Sequence, residues 1–220
     1  MIRFPKGLIS GYRDFRSQHL PGEQARYREL SEQGQHPEIM VIGCCDSRVA
    51  PESIFDAGPG ELFVMRNVAN LIPPYAPDGE AHGSSAALEF AVQVLLVKHI
   101  VVMGHAQCGG VKALVDEDSQ PLSAGDFIGR WMTLIEPEPE RLKPRDNETR
   151  QMLIARIEKA VVRRSLQNLM TFPFVRERVE RGELQLHGAY FGVATGALSV
   201  LDAMSGEFID VQTTSDIVGV

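Results

Sequence analysis

The chain has 220 residues, a hydrophobic fraction of 44%, a charged fraction of 23% and a formal net charge of −7, the profile of an ordinary globular protein with enough length for one sizeable core. That acidic balance speaks against a general nucleic-acid binder, because phosphate affinity rests on clustered Lys and Arg; a small anion can still be met by a local field that opposes the net charge. No stretch reaches the roughly 18 uninterrupted apolar residues of a membrane span, so neither a nucleic acid nor a membrane is expected as a partner.

In chain order, residues 5–33 read as polar helical segments broken at Pro21-Gly22, with Phe15, Leu20, Tyr27 and Leu30 as scattered apolar anchors. Such a pattern builds no core alone, so residues 1–36 are expected to form an N-terminal helical arm that packs on something else. Arg13 and Arg16 fall where a secretory signal would be apolar, and a cytoplasmic location is expected. Residues 38–43 (EIMVIG), 61–66 (ELFVMR) and 99–104 (HIVVMG) are short runs rich in β-formers. Between the last two, residues 84–97 read as a helix with Ala87, Phe90, Ala91, Val94 and Leu95 as its apolar stripe. Apolar strands alternating with helices predict a parallel sheet covered on both faces. A charged, Pro-rich connection at 136–148 leads to a long amphipathic helix marked by Leu153, Ile157, Val161 and Leu169 and ending before Pro173. Residues 184–191, 197–201 and 208–211 read as strands, with turns at Thr195-Gly196 and Ser205-Gly206. Residues 1–220 are read as a single α/β domain.

Three cysteines are too few for a disulfide scaffold and more in keeping with metal binding or chemistry. Two of them open Cys44-Cys45-Asp46-Ser47-Arg48, directly after the first strand; the other lies in His105-Ala106-Gln107-Cys108-Gly109-Gly110, directly after the third. Ligands in open α/β sheets bind beyond the carboxyl ends of strands, so the two motifs can converge. Two thiolates and one imidazole suit zinc, and three protein ligands leave a position for water, as in catalytic sites. A zinc-bound water has a pKa near 7 and supplies hydroxide at neutral pH. The plainer readings are a closed structural zinc site or two unrelated buried thiols. Asp46 and Arg48 read either as a surface ion pair of little worth or, beside the ligand motif, as an oriented pair. In the second reading Arg48 grips Asp46, which then accepts a hydrogen bond from the hydroxide. Cys45, next to Cys44 on an extended chain, points the other way and reads as a small packing residue. His19, His36, His82, His99 and His187 read as surface or structural.

Together these motifs resemble the signature of the β-class carbonic anhydrases, and the likeness runs from about residue 35 to 211. Arg66-Asn67-Val68-Ala69-Asn70, the helix from Ala87 to Val92 and the strand from Leu186 to Tyr190 are similar as well. The resemblance implies four parallel strands extended by a fifth, flanked by helices. It also implies a homodimer, or a tetramer built from it, whose N-terminal helices embrace the partner. One Zn2+ per chain would sit on Cys44, His105 and Cys108, beside the catalytic pair Asp46 and Arg48, and interconvert carbon dioxide and bicarbonate. The substrate pocket would be lined by Gln35, Phe63, Val68, Phe90 and Gly109, partly from the second subunit, with Gln35 donating a hydrogen bond. Spacing alone makes Gln35 a loop residue and the two phenylalanines core residues.

Two departures stand out. Phe90 replaces the Tyr usual in the plant-like branch, removing one polar contact. Val41 and Phe191 stand where the bicarbonate-regulated branch places Trp and Tyr, although the matching Arg66 is present, so no bicarbonate-gated allostery of that kind is expected. Pro73-Pro74-Tyr75 also points to the plant-like branch. Rival readings are a hydrolase of carbon disulfide or carbonyl sulfide on the same site, and a zinc-binding regulatory or redox protein using Cys44-Cys45 as vicinal thiols.

Overall fold

The computed structural model describes residues 3–116, 120–135 and 142–212; the first half of the charged 136–148 connection lies outside the described residues. Four parallel strands, β1 (Ile39–Cys44), β2 (Leu62–Asn67), β3 (His99–His105) and β4 (Gln185–Phe191), form the sheet. It continues antiparallel through β5 (Leu198–Leu201) and β6 (Phe208–Asp210), in the order β2-β1-β3-β4-β5-β6. The sheet therefore has one strand more than the resemblance implied. Tight turns explain the extension: Gly196 and Gly206 take φ of 70° and 72°, which glycine adopts freely, and fold 198–210 back as a hairpin.

Side chains alternate across the sheet and give its two faces different fates. Met40 and Ile42 of β1 and Ile100 and Val102 of β3 join the main core with Leu88, Ala91, Val92, Val162, Leu169, Phe172 and Val175. These come from α4 (Gly83–Glu89) and the π-helical turn Phe90–Val94 that follows it, from α7 (Arg150–Leu169) and from α8 (Pro173–Glu180) with Phe172 just before it. Val41, Met103 and Ala189 face the other way, where among the described residues only Ile54 of α3 (Pro51–Ile54) comes from a helix. Ile39, Leu62, Val101 and Leu198 there stay half-buried. The expected cover on both faces is thus incomplete within one chain, because the N-terminal arm does not fold back.

That arm is α1 (Lys6–Asp14), a π-helical turn over Phe15–His19 and α2 (Leu20–Gln33), so the chain continues helically through Pro21 instead of breaking there. Proline at the first turn of a helix loses no intrahelical bond. Neither α1 nor α2 buries a residue. The arm touches the body at its far end, where Arg26 donates to the Pro59 carbonyl and Leu30 packs on Gly60.

Helix α7 is the element that aligns the site. Thr149 caps it by accepting the Met152 amide. It lies unusually close to the sheet: a Cβ on Gly104 would stand 2.7 Å from Val162 Cγ2, and one on Gly188 3.1 Å from Val162 Cγ1. Its buried Ser165 donates to the Asn70 carbonyl and accepts the Ile72 amide, and Asn168 donates to the Ile72 carbonyl. The loop after β2 is thereby clamped against α7.

Candidate metal centre

Cys44 is the last residue of β1 and His105 the last of β3, and Cys108 immediately precedes α5 (Gly109–Leu114). Their Sγ atoms and a ring nitrogen lie within 4.8 Å of one another, and all three residues are buried. The His105 Nδ1–H donates to the Ala106 carbonyl at 3.0 Å, which leaves Nε2 as the ring's acceptor. That Nε2 is buried with no partner. An unsatisfied buried acceptor is costly, so the site calls for an electrophile. The two sulfurs stand 4.0 Å apart; a tetrahedral zinc with Zn–S bonds of about 2.3 Å would hold them about 3.8 Å apart. Two sulfurs and a free imidazole nitrogen at this spacing fit zinc.

Neighbouring backbone prepares the thiols. Ala69, in the left-handed region at φ 63°, donates its amide to Cys44 Sγ at 3.4 Å. The hydrogen bond between the two sulfurs pulls the Cys44 thiol down, and the same bond together with burial pushes Cys108 up. Burial opposes protonation of His105, but the nearby Cys44 sulfur, the Ala106 carbonyl and the Asp46 carboxylate outweigh that and raise it.

Asp46 and Arg48 stand at the rim. Arg48 donates from Nε to Asp46 Oδ1 at 2.8 Å and from Nη2 to Oδ2 at 2.6 Å, and the Arg48 amide adds a bond to Oδ1 at 3.0 Å. These bonds hold the Asp46 carboxyl well below the usual carboxylate range. Asp46 Oδ2 lies 4.0 Å from His105 Nε2. Arg66, on β2, donates to the carbonyls of Cys44 at 2.8 Å and Asp46 at 2.7 Å and so fixes the whole turn.

The other pocket residues fall into two groups. Val68 opens the short 3-10 turn Val68–Asn70 directly after β2, and Gly109 is the first residue of α5, next to Cys108. Val68 Cγ1 would stand 2.9 Å from a Cβ on Gly110, and its carbonyl accepts the indole N–H of Trp131 on α6 (Phe127–Met132). Phe63 pairs in register with Met40, four residues before Cys44, which is about 13 Å of strand. Its ring packs on Phe90, centroids 5.9 Å apart, and Phe90 is exposed. Gln35 is exposed and precedes β1, whose first residue lies about 16 Å of strand from Cys44. One chain therefore brings Cys44, Asp46, Arg48, Val68, His105, Cys108 and Gly109 to one end of the sheet and leaves Gln35, Phe63 and Phe90 elsewhere. Cys45 is exposed, not packed as its size suggested.

Sequence reasoning passed over Glu158. It is 3% exposed, accepts the Cys108 amide at 2.8 Å on Oε1 and the Tyr190 hydroxyl at 2.7 Å on Oε2. Burial pushes its carboxyl up, against the pull of these two donors. The signal was present: Glu158 interrupts the apolar face made by Ile154, Ile157, Val161 and Val162. His99 and His187, read separately as unpartnered, are neighbours on β3 and β4 with Nδ1 and Nε2 3.2 Å apart.

Residues 39–198 match the family model described as carbonic anhydrase. Beta carbonic anhydrase 3 of Arabidopsis thaliana is 35% identical over 210 residues, covering 94% of this chain and 78% of that protein. The chain spans only 62% and 54% of the lengths of two further Arabidopsis thaliana relatives, beta carbonic anhydrase 6, named mitochondrial, and beta carbonic anhydrase 5, named chloroplastic. Among solved structures, the β-carbonic anhydrase CcaA superposes with a TM-score of 0.81 at 31% identity, covering 93% of this chain and 98% of that one. A β-carbonic anhydrase of Sordaria macrospora, described as tetrameric, superposes at 0.68 with 31% identity, covering 90% and 93%. The chain belongs to the carbonic anhydrase family, in its β class.

Proposed function

We propose that the protein catalyses the reversible hydration of carbon dioxide to bicarbonate and a proton, with one zinc ion held by Cys44, His105 and Cys108. The observation that carries this reading is the buried, unpartnered His105 Nε2 facing two thiols, with a gripped carboxylate 4.0 Å away. Bound there, zinc would lower the pKa of a coordinated water to about 7 and supply the nucleophile. The residues do the rest. Arg48 occupies one side of Asp46 and holds its carboxylate ionised, so Asp46 accepts a proton-bearing donor in one fixed direction. Arg66 keeps the turn carrying Cys44 and Asp46 in place. Val68, its carbonyl tied to Trp131, offers apolar surface for a non-polar gas.

The working unit in this proposal is at least a homodimer. Phe4, Leu8 and Tyr12, four residues apart on one face of the arm, are 59%, 61% and 60% exposed, and one face of the sheet is only half covered. An arm reaching across to a second copy covers both. It also supplies a route for Gln35, Phe63 and Phe90 to complete the partner's pocket. The ligand set suits a reducing compartment, and a cytoplasmic setting belongs to the same proposal. Among the described residues no helix is long and apolar enough to cross a membrane. Residues 1–220 are proposed to act as one domain with 1–36 as the arm.

A redox role for vicinal Cys44 and Cys45 fits poorly, since one is buried and the other exposed. Turnover of carbon dioxide, carbonyl sulfide and carbon disulfide, measured side by side on zinc-loaded protein, tests the substrate. Carbon dioxide should be preferred; activity confined to the sulfur compounds would overturn the proposal.

A further inference from the structure

Glu158 is a costly residue for structure alone. A carboxylate 3% exposed and met by two neutral donors keeps an uncompensated burial cost. Its location is set by the close approach of α7 at Gly104, since Glu158 lies one turn before Val162, whose methyl fills the space that a Cβ would need. That approach puts Oε1 on the amide of Cys108 itself. The same loop is held from the opposite side, where Arg48 donates to the Gln107 carbonyl at 3.1 Å. Gln107 has φ 62°, a left-handed conformation that a non-glycine residue keeps when its surroundings fix it. The residue that follows this strained position is a sulfur donor.

We infer that Glu158, anchored by Tyr190, is a positioning residue for the metal centre. It fixes the backbone of Cys108 so that the sulfur faces Cys44 and His105 before metal arrives, and it slows release of the metal afterwards. Glu158 acts through Cys108 and touches no substrate. The inference rests on the proposed assignment of Cys44, His105 and Cys108 as zinc ligands. Residues that orient metal ligands commonly change metal affinity by about 10–100-fold when removed.

The test measures zinc release to a chromogenic chelator from the full-length protein and its Glu158→Gln, Glu158→Leu and Tyr190→Phe variants. The sulfur-to-metal absorption of the cobalt-substituted forms and the melting of the metal-free forms are followed in parallel. Glu158→Leu should release zinc about 10–100-fold faster and alter the cobalt band. Glu158→Gln retains an oxygen for the Cys108 amide and should stay within about threefold of the parent, a difference below 1 kcal/mol. Tyr190→Phe leaves a buried oxygen of Glu158 unpaired and should both lower the melting temperature of the metal-free protein and release zinc faster than the parent. Release at the parental rate in Glu158→Leu, or equal release from the Gln and Leu variants, overturns the inference. If Glu158→Leu does not fold, parental release from Tyr190→Phe overturns it and faster release supports it. A parent protein that binds no zinc would instead overturn the ligand assignment.

Discussion

Arg48 spans both oxygens of Asp46 while Asp46 Oδ2 stands 4.0 Å from the unpartnered Nε2 of His105. The carboxylate is therefore engaged with arginine and only borders the three ligand atoms. This relation sets what acid does to the site. Asp46 is depressed below its ordinary value, so its contribution to stability is present above the unfolded-state value near 3.9. The contribution is lost only as pH falls through the still lower folded value.

Asp46 should accordingly show no titration by carboxyl carbon NMR between pH 4.5 and 8, and Arg48→Ala should raise its pKa by removing the largest of the causes that depress it. Asp46→Asn should retain zinc and lose hydration activity by about 10²–10³-fold. Asp46 titrating near pH 6 would remove the basis for its role.

Gly104→Ala forces a methyl against the stiff, fully buried Val162. It should destabilise the fold by about 1–3 kcal/mol in urea titration. Adding Val162→Ala should recover part of the loss if the clash is the cause; a further loss with no recovery would place the cause elsewhere.

Arg66 already donates to the carbonyls of Cys44 and Asp46, and Val41 and Phe191 carry no polar side-chain group. Activity should vary hyperbolically with bicarbonate. Arg66→Leu should lower stability by about 1.5–3 kcal/mol per charged hydrogen bond lost. A sigmoidal bicarbonate response that vanishes in Arg66→Leu would show an anion site after all.

If Gln35, Phe63 and Phe90 act in the partner's pocket, two inactive variants should complement. Cys44→Ser refolded together with Phe90→Ala should recover more activity than either alone, up to about a quarter of the parent sites when the mixture is random. Leu8→Asp with Tyr12→Asp should shift sedimentation toward the monomer. A monomeric parent with full activity would contradict the shared site.

Much of this was legible because strand chemistry is local. The runs at 38–43, 61–66 and 99–104 became β1 to β3 with shifts of one residue, and α7 follows the stripe of Leu153, Ile157 and Val161. Cys44 and His105 converge because β1 and β3 are hydrogen-bonded neighbours in a parallel sheet. What stayed hidden depends on contacts far apart in sequence. Glu158 reaches Cys108 only through the close packing at Gly104, and periodicity shows a polar residue on an apolar face without its partner. Pro21 looked like a break because propensity does not register a π-helical turn that resets the helix before it. The half-covered face of the sheet has no sequence signature within one chain, since alternation reads as burial whichever copy supplies the cover.

The central claim is tested most directly by stopped-flow hydration of carbon dioxide, with zinc content determined on the same samples of parent and Cys44→Ser protein. Rapid hydration at about one zinc per chain, with both zinc and activity lost on substitution, is the predicted result. Parent protein fully loaded with zinc yet inactive from neutral to alkaline pH would contradict it.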